Sequence, residues 1–542
     1  MEKMDIVLGK EKTPLVFKNA RVLNVYTKEW ERTDIAVKDG QILGTGKYDG
    51  DREIDCENRY IVPGFIDTHL HLESTLVHPK YLITEAAKTG TTTFIVDPHE
   101  AANVSGTDGI QFILDETEDV MASCFIMLPS CVPCIPGEQS GAQLRAEDLA
   151  PFLSHERVLG LGEVMDCRSV FEGAEEMMEK LRLFENKPKD GHNTGLSEHE
   201  LNAYRLAGIQ TNHEMTTYED AKKEISKGFY CHIREGSAAR NLKDIVRGIV
   251  EDKGSTRFYT FCTDDKHIHD ILEEGHISHS IRKAIGLGIP PEEAYQMASL
   301  NGAICYGLNK KGAIAPGKDA DLVLLKDPKK VIIDEVYHQG KKVEGNPVIG
   351  PTPENLLQTV HLGEFTVDHL KDVDCDDIMV LIPDQLLTKR IPYEEGDHGH
   401  LNKILLAERH GKTGDIGLGW VQGYGIKNGA LATSVSHDNH NIIAIGDNDL
   451  DIYQGIRHLE KTGGGYVLVE KGKIVGSLPL EIMGLMTNES YEKVNRTLSR
   501  MKEKAHQMGI PRNIEPFILP SFLALTVIPE IRISSKGMVI VK

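Results

Sequence analysis

One stretch near the start of the chain decides the fold, and it reads Ile61-Val62-Pro63-Gly64-Phe65-Ile66-Asp67-Thr68-His69-Leu70-His71-Leu72-Glu73. An apolar run typical of a β-strand ends here in two histidines one residue apart. Because alternate residues of a strand point to the same face, His69 and His71 can direct two imidazoles at one metal ion. Asp67 lies on that face one step earlier. The alternative is coincidence in a chain with 23 histidines, so the remaining sequence must supply the missing ligands.

Composition restricts the class of protein. The chain has 542 residues, of which 40% are hydrophobic and 26% charged, as is ordinary for a soluble globular protein of roughly two to four domains. No apolar run approaches the ~20 residues of a membrane span, and the charged N-terminus lacks a signal-peptide core. Nine scattered cysteines fit reduced thiols in a cytoplasm. The formal net charge of −21 argues against nucleic acid or anionic membrane as a partner.

The pattern of strand-like and helix-like segments changes along the chain and predicts an α/β protein. Short strand patterns with an Asp39-Gly40 hairpin signal indicate the first part of a small β-sandwich at residues 1–62 and its second part at 315–365. Between them, residues 63–314 alternate β and α segments, which predicts a TIM-like (β/α)8 barrel inserted in the sandwich. Residues 366–542 are expected to form a separate C-terminal α/β domain.

The predicted barrel strands end in polar residues, which is where catalytic side chains lie in such barrels. A binuclear hydrolytic centre needs imidazoles for each metal, a bridging anion and a carboxylate for the proton of the attacking water. Glu163 suits the bridge, and Asp264 suits both metal binding and proton transfer. Each residue alone could be an ordinary buried polar residue, but their order along the chain favours a metal centre. The predicted ligands are His69, His71, Glu163, His192, His213 and Asp264.

These motifs resemble the amidohydrolase superfamily over about residues 15–345, and within it the adenine deaminase family. The segments that carry the closer resemblance are Asp97-Pro98-His99-Glu100, Cys131-Val132-Pro133, Gly162-Glu163-Val164-Met165, Asp190-Gly191-His192, Arg234-Glu235-Gly236-Ser237-Ala238 and Thr263-Asp264-Asp265. Ser436-His437-Asp438-Asn439-His440-Asn441 resembles that family's extra C-terminal domain. One departure is Asn212 before His213, where the family pattern has Asp; an Asn would orient the histidine less strongly.

The resemblance implies hydrolysis of adenine to hypoxanthine and ammonia by a metal-activated hydroxide that attacks C6. It implies two divalent metal ions, Mn²⁺ or Fe²⁺, with Zn²⁺ also compatible with histidine and carboxylate ligands. Asp264 is the candidate proton shuttle, Glu235 the candidate for contacting the ring nitrogens, and Asp97 a further catalytic candidate. Arg234 is expected beside the substrate, although an ion pair between Arg234 and Glu235 at the barrel rim is the alternative. We expect a cytoplasmic homo-oligomer, a dimer, with adenine as its partner.

Other interpretations compete with this one. His71-Leu72-Glu73 and Cys131–Cys134 imitate the H-x-E and C-x-x-C motifs of cytidine-type zinc deaminases, but Ser130 stands where that pattern needs proline. A ring-opening amidohydrolase acting on a hydantoin or dihydropyrimidine would bridge its metals with a modified lysine, so Glu163 argues against it. A metal-free barrel scaffold is the non-enzymatic alternative. Segment 436–441 could be a third metal site, a lid contact with the barrel mouth or a hydrogen-bonded turn.

Overall fold

The computed structural model describes residues 2–237, 239–382 and 387–541, so Ala238 of the predicted motif lies outside the described residues. The chain begins with a short helix and five strands that flank the barrel. These elements are α1 (Glu2–Val7), β1 (Thr13–Asn24), β2 (Glu29–Lys38), β3 (Gln41–Gly46), β4 (Gly50–Asp55) and β5 (Tyr60–Pro63).

Eight parallel strands follow, in sheets of five and three. They are β6 (Phe65–Leu70), β7 (Thr91–Val96), β8 (Ser123–Leu128), β9 (Val158–Val164), β10 (Lys189–Gly191), β11 (Thr211–Asn212), β12 (Tyr230–Arg234) and β13 (Tyr259–Cys262). The two sheets meet between β10 and β11 and again between β13 and β6. At the second junction, the Asp264 amide donates to the His69 carbonyl (3.0 Å) and the His71 amide donates to the Asp264 carbonyl (3.3 Å). The predicted TIM-like fold is confirmed.

Helices connect and cover these strands. They are α2 (Pro79–Lys88), α3 (His99–Glu116), α4 (Ala146–Leu149), α5 (Cys167–Glu172), α6 (Glu175–Leu183), α7 (Glu198–Leu206), α8 (Tyr218–Ile225), α9 (Leu242–Asp252), α10 (Ile268–Glu274), α11 (Ile277–Leu287), α12 (Pro291–Met297) and α13 (Leu300–Cys305). In α9 the buried residues Leu242, Ile245, Val246 and Ile249 follow helical spacing, so one apolar stripe packs on the barrel. Ser197 begins α7 with a capping box, which fixes where that helix starts.

Three later strands complete the flanking sheet: β14 (Leu322–Asp327), β15 (Ile332–His338) and β16 (Lys341–Lys342). The sheet has the order β16-β15-β14-β5-β1-β2-β3, with β4 paired to β1. The apolar run that the sequence suggests as one strand is divided at Gly64, because β5 pairs with β14 and β1 whereas β6 pairs with β7. A Cβ atom at Gly64 would lie 2.0 Å from the Thr92 hydroxyl oxygen, so only glycine fits there.

The C-terminal region forms a second eight-stranded sheet with three helices and a hairpin. The elements are β17 (Asp377–Leu381), β18 (Thr388–Pro392), β19 (Leu401–Ala407), β20 (Ile416–Gln422), β21 (Gly429–Thr433), β22 (Ile442–Gly446), α14 (Asp449–Thr462), β23 (Gly465–Glu470), β24 (Lys473–Pro479), α15 (Tyr491–Gln507), α16 (Ile518–Phe522), β25 (Glu530–Ser534) and β26 (Gly537–Val541). The sheet has the order β18-β17-β20-β19-β22-β21-β23-β24. Helix α14 packs on it, and β25 and β26 form the hairpin.

The C-terminal sheet docks on the barrel mouth through one shared apolar core that contains residues of both regions, such as Leu128 and Phe522. Polar contacts fix the orientation. Asn439 donates to the Glu138 carboxylate (3.0 Å), and Asn441 donates to the Gln139 carbonyl (2.8 Å). None of the described helices has the length and apolar character that crossing a membrane requires.

Candidate active site

The structure brings the six predicted metal ligands together at the carboxyl ends of five barrel strands. They belong to β6 and the residue after it, to the end of β9, and to the loops that follow β10, β11 and β13. All six side chains are buried. Because each strand delivers its ligand at the same edge, ligands almost 200 residues apart in sequence converge. The ligands in chain order are His69, His71, Glu163, His192, His213 and Asp264.

The Glu163 carboxylate separates the histidines into two sets. Its Oε1 atom lies 3.4 Å from His71 Nε2 and 3.8 Å from His69 Nε2. Its Oε2 atom lies 2.8 Å from His192 Nδ1 and 3.3 Å from His213 Nε2. One carboxylate oxygen therefore faces each pair of imidazoles, which is the arrangement that a carboxylate bridging two metal ions requires.

Asp264 joins the first set and connects it to an arginine. Its Oδ1 atom lies 3.4 Å from His69 Nε2 and 3.2 Å from His71 Nε2. Its Oδ2 atom accepts a hydrogen bond from Arg234 Nη1 (2.7 Å). Burial by itself would raise the pKa of Asp264, but the Arg234 guanidinium and the contacts with the histidines outweigh it and hold the pKa well below its usual value. Asp264 is therefore an ionised carboxylate in the site.

Neighbouring groups fix how these ligands are presented. The Nδ1 atom of His71 lies 3.0 Å from the Asp97 carbonyl, and a proton there leaves the Nε2 lone pair directed into the cluster. Asp97 itself accepts from the Glu163 backbone amide through Oδ2 (2.9 Å). Asp97 thus lies behind the end of β9 and holds the backbone of Glu163 in place. A Cβ atom at Gly162 would lie 2.2 Å from that Asp97 oxygen, which explains the glycine before Glu163.

The donor set fits divalent cations. His69 Nε2, His99 Nδ1 and His192 Nε2 are buried without a hydrogen-bond partner in the part of the chain that the structure describes. The rings of His69 and His213 lie parallel with centroids 4.2 Å apart. Imidazole nitrogens and carboxylate oxygens that face one another at such short distances are stabilised by a positive charge between them. Divalent metal ions with nitrogen and oxygen ligands supply that charge.

Two predicted substrate contacts have different surroundings. Arg234 lines the cavity beside the cluster, and Glu214 pairs with its guanidinium through both carboxylate oxygens. Glu235 points away from the cluster: its Oε1 atom pairs with Lys283 and lies 3.3 Å from Arg240. Arg234 and Glu235 are therefore not paired with each other, and the structure places Glu235 in an ion-pair group behind the barrel rim.

Sequence reasoning missed several residues that line the cavity. Glu214 lies 3.4 Å from His213 Nε2, and its position directly after a predicted ligand was an available signal. His99 Nδ1 lies 3.3 Å from Glu163 Oε1, and its place after a strand end was a similar signal. His437, Asp438 and Phe522 line the cavity from the C-terminal region. For His437 and Asp438 the sequence left a metal site, a contact with the barrel mouth and a turn open, and no spacing rule chooses among them because these residues come from another part of the fold.

Comparison with known proteins gives two family matches. Residues 60–343 match the amidohydrolase family, and residues 386–542 match the adenine deaminase C-terminal domain. The chain is 48% identical over 543 positions to a protein named adenine deaminase from Desulfitobacterium hafniense (strain Y51). The alignment covers 98% of this chain and 95% of that relative.

A second relative, an adenine deaminase from Bacillus subtilis (strain 168), is 41% identical over 568 positions, covering 100% of this chain and 98% of the relative. A solved crystal structure of an adenine deaminase is 16% identical over 61% of this chain and 99% of that one, with a TM-score of 0.47.

Proposed function

The chain belongs to the adenine deaminase family of amidohydrolases, and we propose that its site hydrolyses adenine with two divalent metal ions held on either side of Glu163. The reaction converts adenine and water into hypoxanthine and ammonia. His69 and His71 would hold one ion, with Asp264 completing that set, and His192 and His213 would hold the other. The observation that carries this assignment is the separation of the Glu163 oxygens between the two histidine pairs. Bound divalent ions lower the pKa of water so that hydroxide is available near neutral pH.

Asp264 moves the proton in this proposal. Its Oδ1 atom faces the first metal position and Arg234 keeps it ionised, so it accepts the proton of the attacking water. The same carboxyl then returns the proton to the leaving amine. Arg234 has one guanidinium nitrogen, Nε, that is buried and without a hydrogen-bond partner in residues 2–237, 239–382 and 387–541. This group is our candidate for contacting the purine. Mn²⁺ or Fe²⁺ suits the ligands, with Zn²⁺ as the alternative.

The decisive experiment is an assay of the Mn²⁺-loaded protein for ammonia release from adenine, beside a panel of hydantoins and dihydropyrimidines. Adenine should be converted and the ring-opening substrates should not. The reverse result would favour the ring-opening amidohydrolase, and absence of both activities would favour a scaffold. The homodimer and the cytoplasmic location stay predictions from the sequence, which gel filtration and cell fractionation test.

Substitutions test the two carboxylates. Glu163→Gln and Asp264→Asn should abolish ammonia release from adenine, because one removes the bridging charge and the other the proton acceptor, while circular dichroism and the melting temperature report a folded protein. The loss should exceed 10²-fold in kcat, the low end of what general acid–base groups contribute, and is thus about 3 kcal/mol or more. Near-normal turnover with full metal content in either variant would show that the residue has another role.

A further inference from the structure

A second group of ligand-type side chains lies beside the metal cluster, where the C-terminal sheet meets the barrel. The barrel contributes His99 and Glu100 from the start of α3, and the segment between β21 and β22 contributes His437 and Asp438. All four are buried, with at most 3% of any residue exposed. None of these residues has been given a role in the reaction above. They also come in equal number from two parts of the fold that are distant in sequence.

The distances within this group approach those of metal ligands. Glu100 Oε1 lies 3.2 Å from His437 Nδ1, which lies 3.8 Å from Asp438 Oδ1. Asp438 Oδ1 lies 3.7 Å from His99 Nε2. Nitrogen and oxygen ligands at about 2.1 Å from a metal ion are separated from one another by about 3.0–3.4 Å. The ligand atoms of His99, His437 and Asp438 lie within 4.8 Å of one another, and Glu100 joins this group through its contact with His437.

The hydrogen bonding of the group leaves atoms unsatisfied. Glu100 Oε2, His437 Nε2 and Asp438 Oδ2 are buried and have no hydrogen-bond partner among the residues described. The ion-pair contacts of Glu100 and Asp438 in that part of the chain are with histidines. The Ser74 hydroxyl lies within hydrogen-bond distance of both Glu100 and Asp265, but its one proton serves only one carboxylate. Burying several carboxylates together costs several kcal/mol unless positive charge, from a metal ion or a protonated imidazole, lies beside them.

His440 lies near this group without belonging to the ligand set. Its Nδ1 atom accepts a hydrogen bond from the Ser436 backbone amide (3.2 Å), which places the imidazole proton on Nε2. That Nε2 atom lies 3.9 Å from Glu100 Oε2. A protonated nitrogen has no lone pair for a metal ion. His440 therefore contacts the Oε2 atom of Glu100 and is not counted among the ligands.

We propose that His99, Glu100, His437 and Asp438 form a third divalent-metal site that joins the C-terminal sheet to the barrel mouth. The ligands are nitrogen and oxygen without sulfur, so the ion belongs to the class of Mn²⁺, Fe²⁺ and Zn²⁺. His99 links this site to the binuclear cluster, because its other ring nitrogen lies 3.3 Å from Glu163 Oε1. The proposal relies on the proposed function only for its count of two further ions.

Metal counting tests the proposal. Apoprotein reconstituted with Mn²⁺, freed of excess ion and analysed by plasma mass spectrometry should contain three equivalents per chain. Asp438→Asn should contain two, because the variant keeps the shape of the side chain and loses its charge. Glu163→Gln should keep the third ion while losing at least one of the other two. Glu138→Gln is the matched control: it neutralises another carboxylate at the same junction, outside the group, and should retain three.

Two equivalents in the wild-type protein would overturn the proposal. Protons shared between the carboxylates and the imidazoles would then explain the buried group without a metal ion. Three equivalents in a folded Asp438→Asn protein would also overturn it. If that variant does not fold, electron paramagnetic resonance titration of wild-type apoprotein with Mn²⁺ counts the sites without any substitution. The adenine assay is read separately: a wild-type protein that holds three ions and leaves adenine unchanged would remove the proposed function and leave this site standing.

Discussion

Asn212 shows at the scale of one residue how a departure from a family pattern can fit its surroundings. The sequence suggested that this residue orients the His213 ring. Instead, its Oδ1 atom accepts the backbone amides of His213 (2.9 Å) and Asn193 (3.2 Å). Its Nδ2 atom donates to Glu224 Oε1 (3.0 Å) and to the Asn193 carbonyl (3.0 Å). An aspartate cannot donate, so the amide matches the buried carboxylate of Glu224.

Asn212→Asp should therefore destabilise the protein by about 1–3 kcal/mol at pH 8, as expected for a buried donor replaced by a like charge. Burial raises the pKa of Glu224 to about 7, so at pH 5 its proton can bridge the two carboxylates and the loss should shrink. Urea unfolding at both pH values measures the effect. The double variant Asn212→Asp with Glu224→Gln restores a donor and should recover most of the stability. An equal loss at pH 5 and pH 8 would contradict this explanation.

Asp97 was expected to act in catalysis, and its contacts favour a positioning role. Asp97→Ala frees the Glu163 backbone amide and should weaken Mn²⁺ binding by about 10–100-fold, the range seen when groups that orient metal ligands are removed. Asp97→Asn keeps an acceptor oxygen and should rescue most of the affinity. Calorimetric Mn²⁺ titration of the two variants provides the comparison. If both lose turnover while binding metal normally, Asp97 acts on the substrate instead.

At the scale of elements, what the sequence could predict depended on element length. The apolar run at 158–164 forms β9 as expected, with Glu163 near its end, whereas the run expected to end at Asp264 stops two residues earlier in β13. The strand before His192 has only three residues and the one before His213 only two, and runs that short carry little periodicity. The neighbouring motif residues still singled out both histidines as predicted ligands. Glu235 was misplaced because adjacent residues at a strand end point to opposite sides, and Arg234 takes the inward direction.

Gly64 is an element boundary at which a larger residue should lower the stability of the protein. Gly64→Ala should destabilise the protein by about 2–3 kcal/mol, because the new methyl group overlaps the Thr92 hydroxyl at the point where β5 and β6 enter different sheets. The control is Gly286→Ala in α11, where a Cβ atom meets nothing within 4 Å. That change should be neutral or add up to about 1 kcal/mol from helix propensity. Chemical denaturation of both variants compares them, and a neutral Gly64→Ala would mean that Thr92 moves aside freely.

At the scale of the whole molecule, the sequence predicts a separate C-terminal domain and leaves the role of residues 436–441 open between a metal site, a contact with the barrel mouth and a turn. His437 and Asp438 follow β21, and they reach the cavity only because the sheet docks over the barrel mouth. That docking depends on an apolar core shared by both regions and on contacts such as Asn441 with Gln139. Periodicity within one chain segment contains no information on such contacts. The sequence left three interpretations open for residues 436–441, and the structure shows that this segment contacts the barrel mouth.

The junction of β13 with β6 has a consequence for local motion. The two backbone hydrogen bonds found there belong to predicted ligand residues, with His71 and Asp264 as the donors. On the proposed assignment these residues hold the same metal ion, so opening this junction would separate them and metal binding should oppose the opening. An ion present at a thousand times its dissociation constant should add about 4 kcal/mol to the free energy of opening. Hydrogen–deuterium exchange at the amides of His71 and Asp264 should therefore slow on Mn²⁺ loading, by about a thousandfold if opening governs exchange, while exchange in β25 and β26 should stay unchanged. Bound metal is therefore expected to keep this junction of the barrel closed.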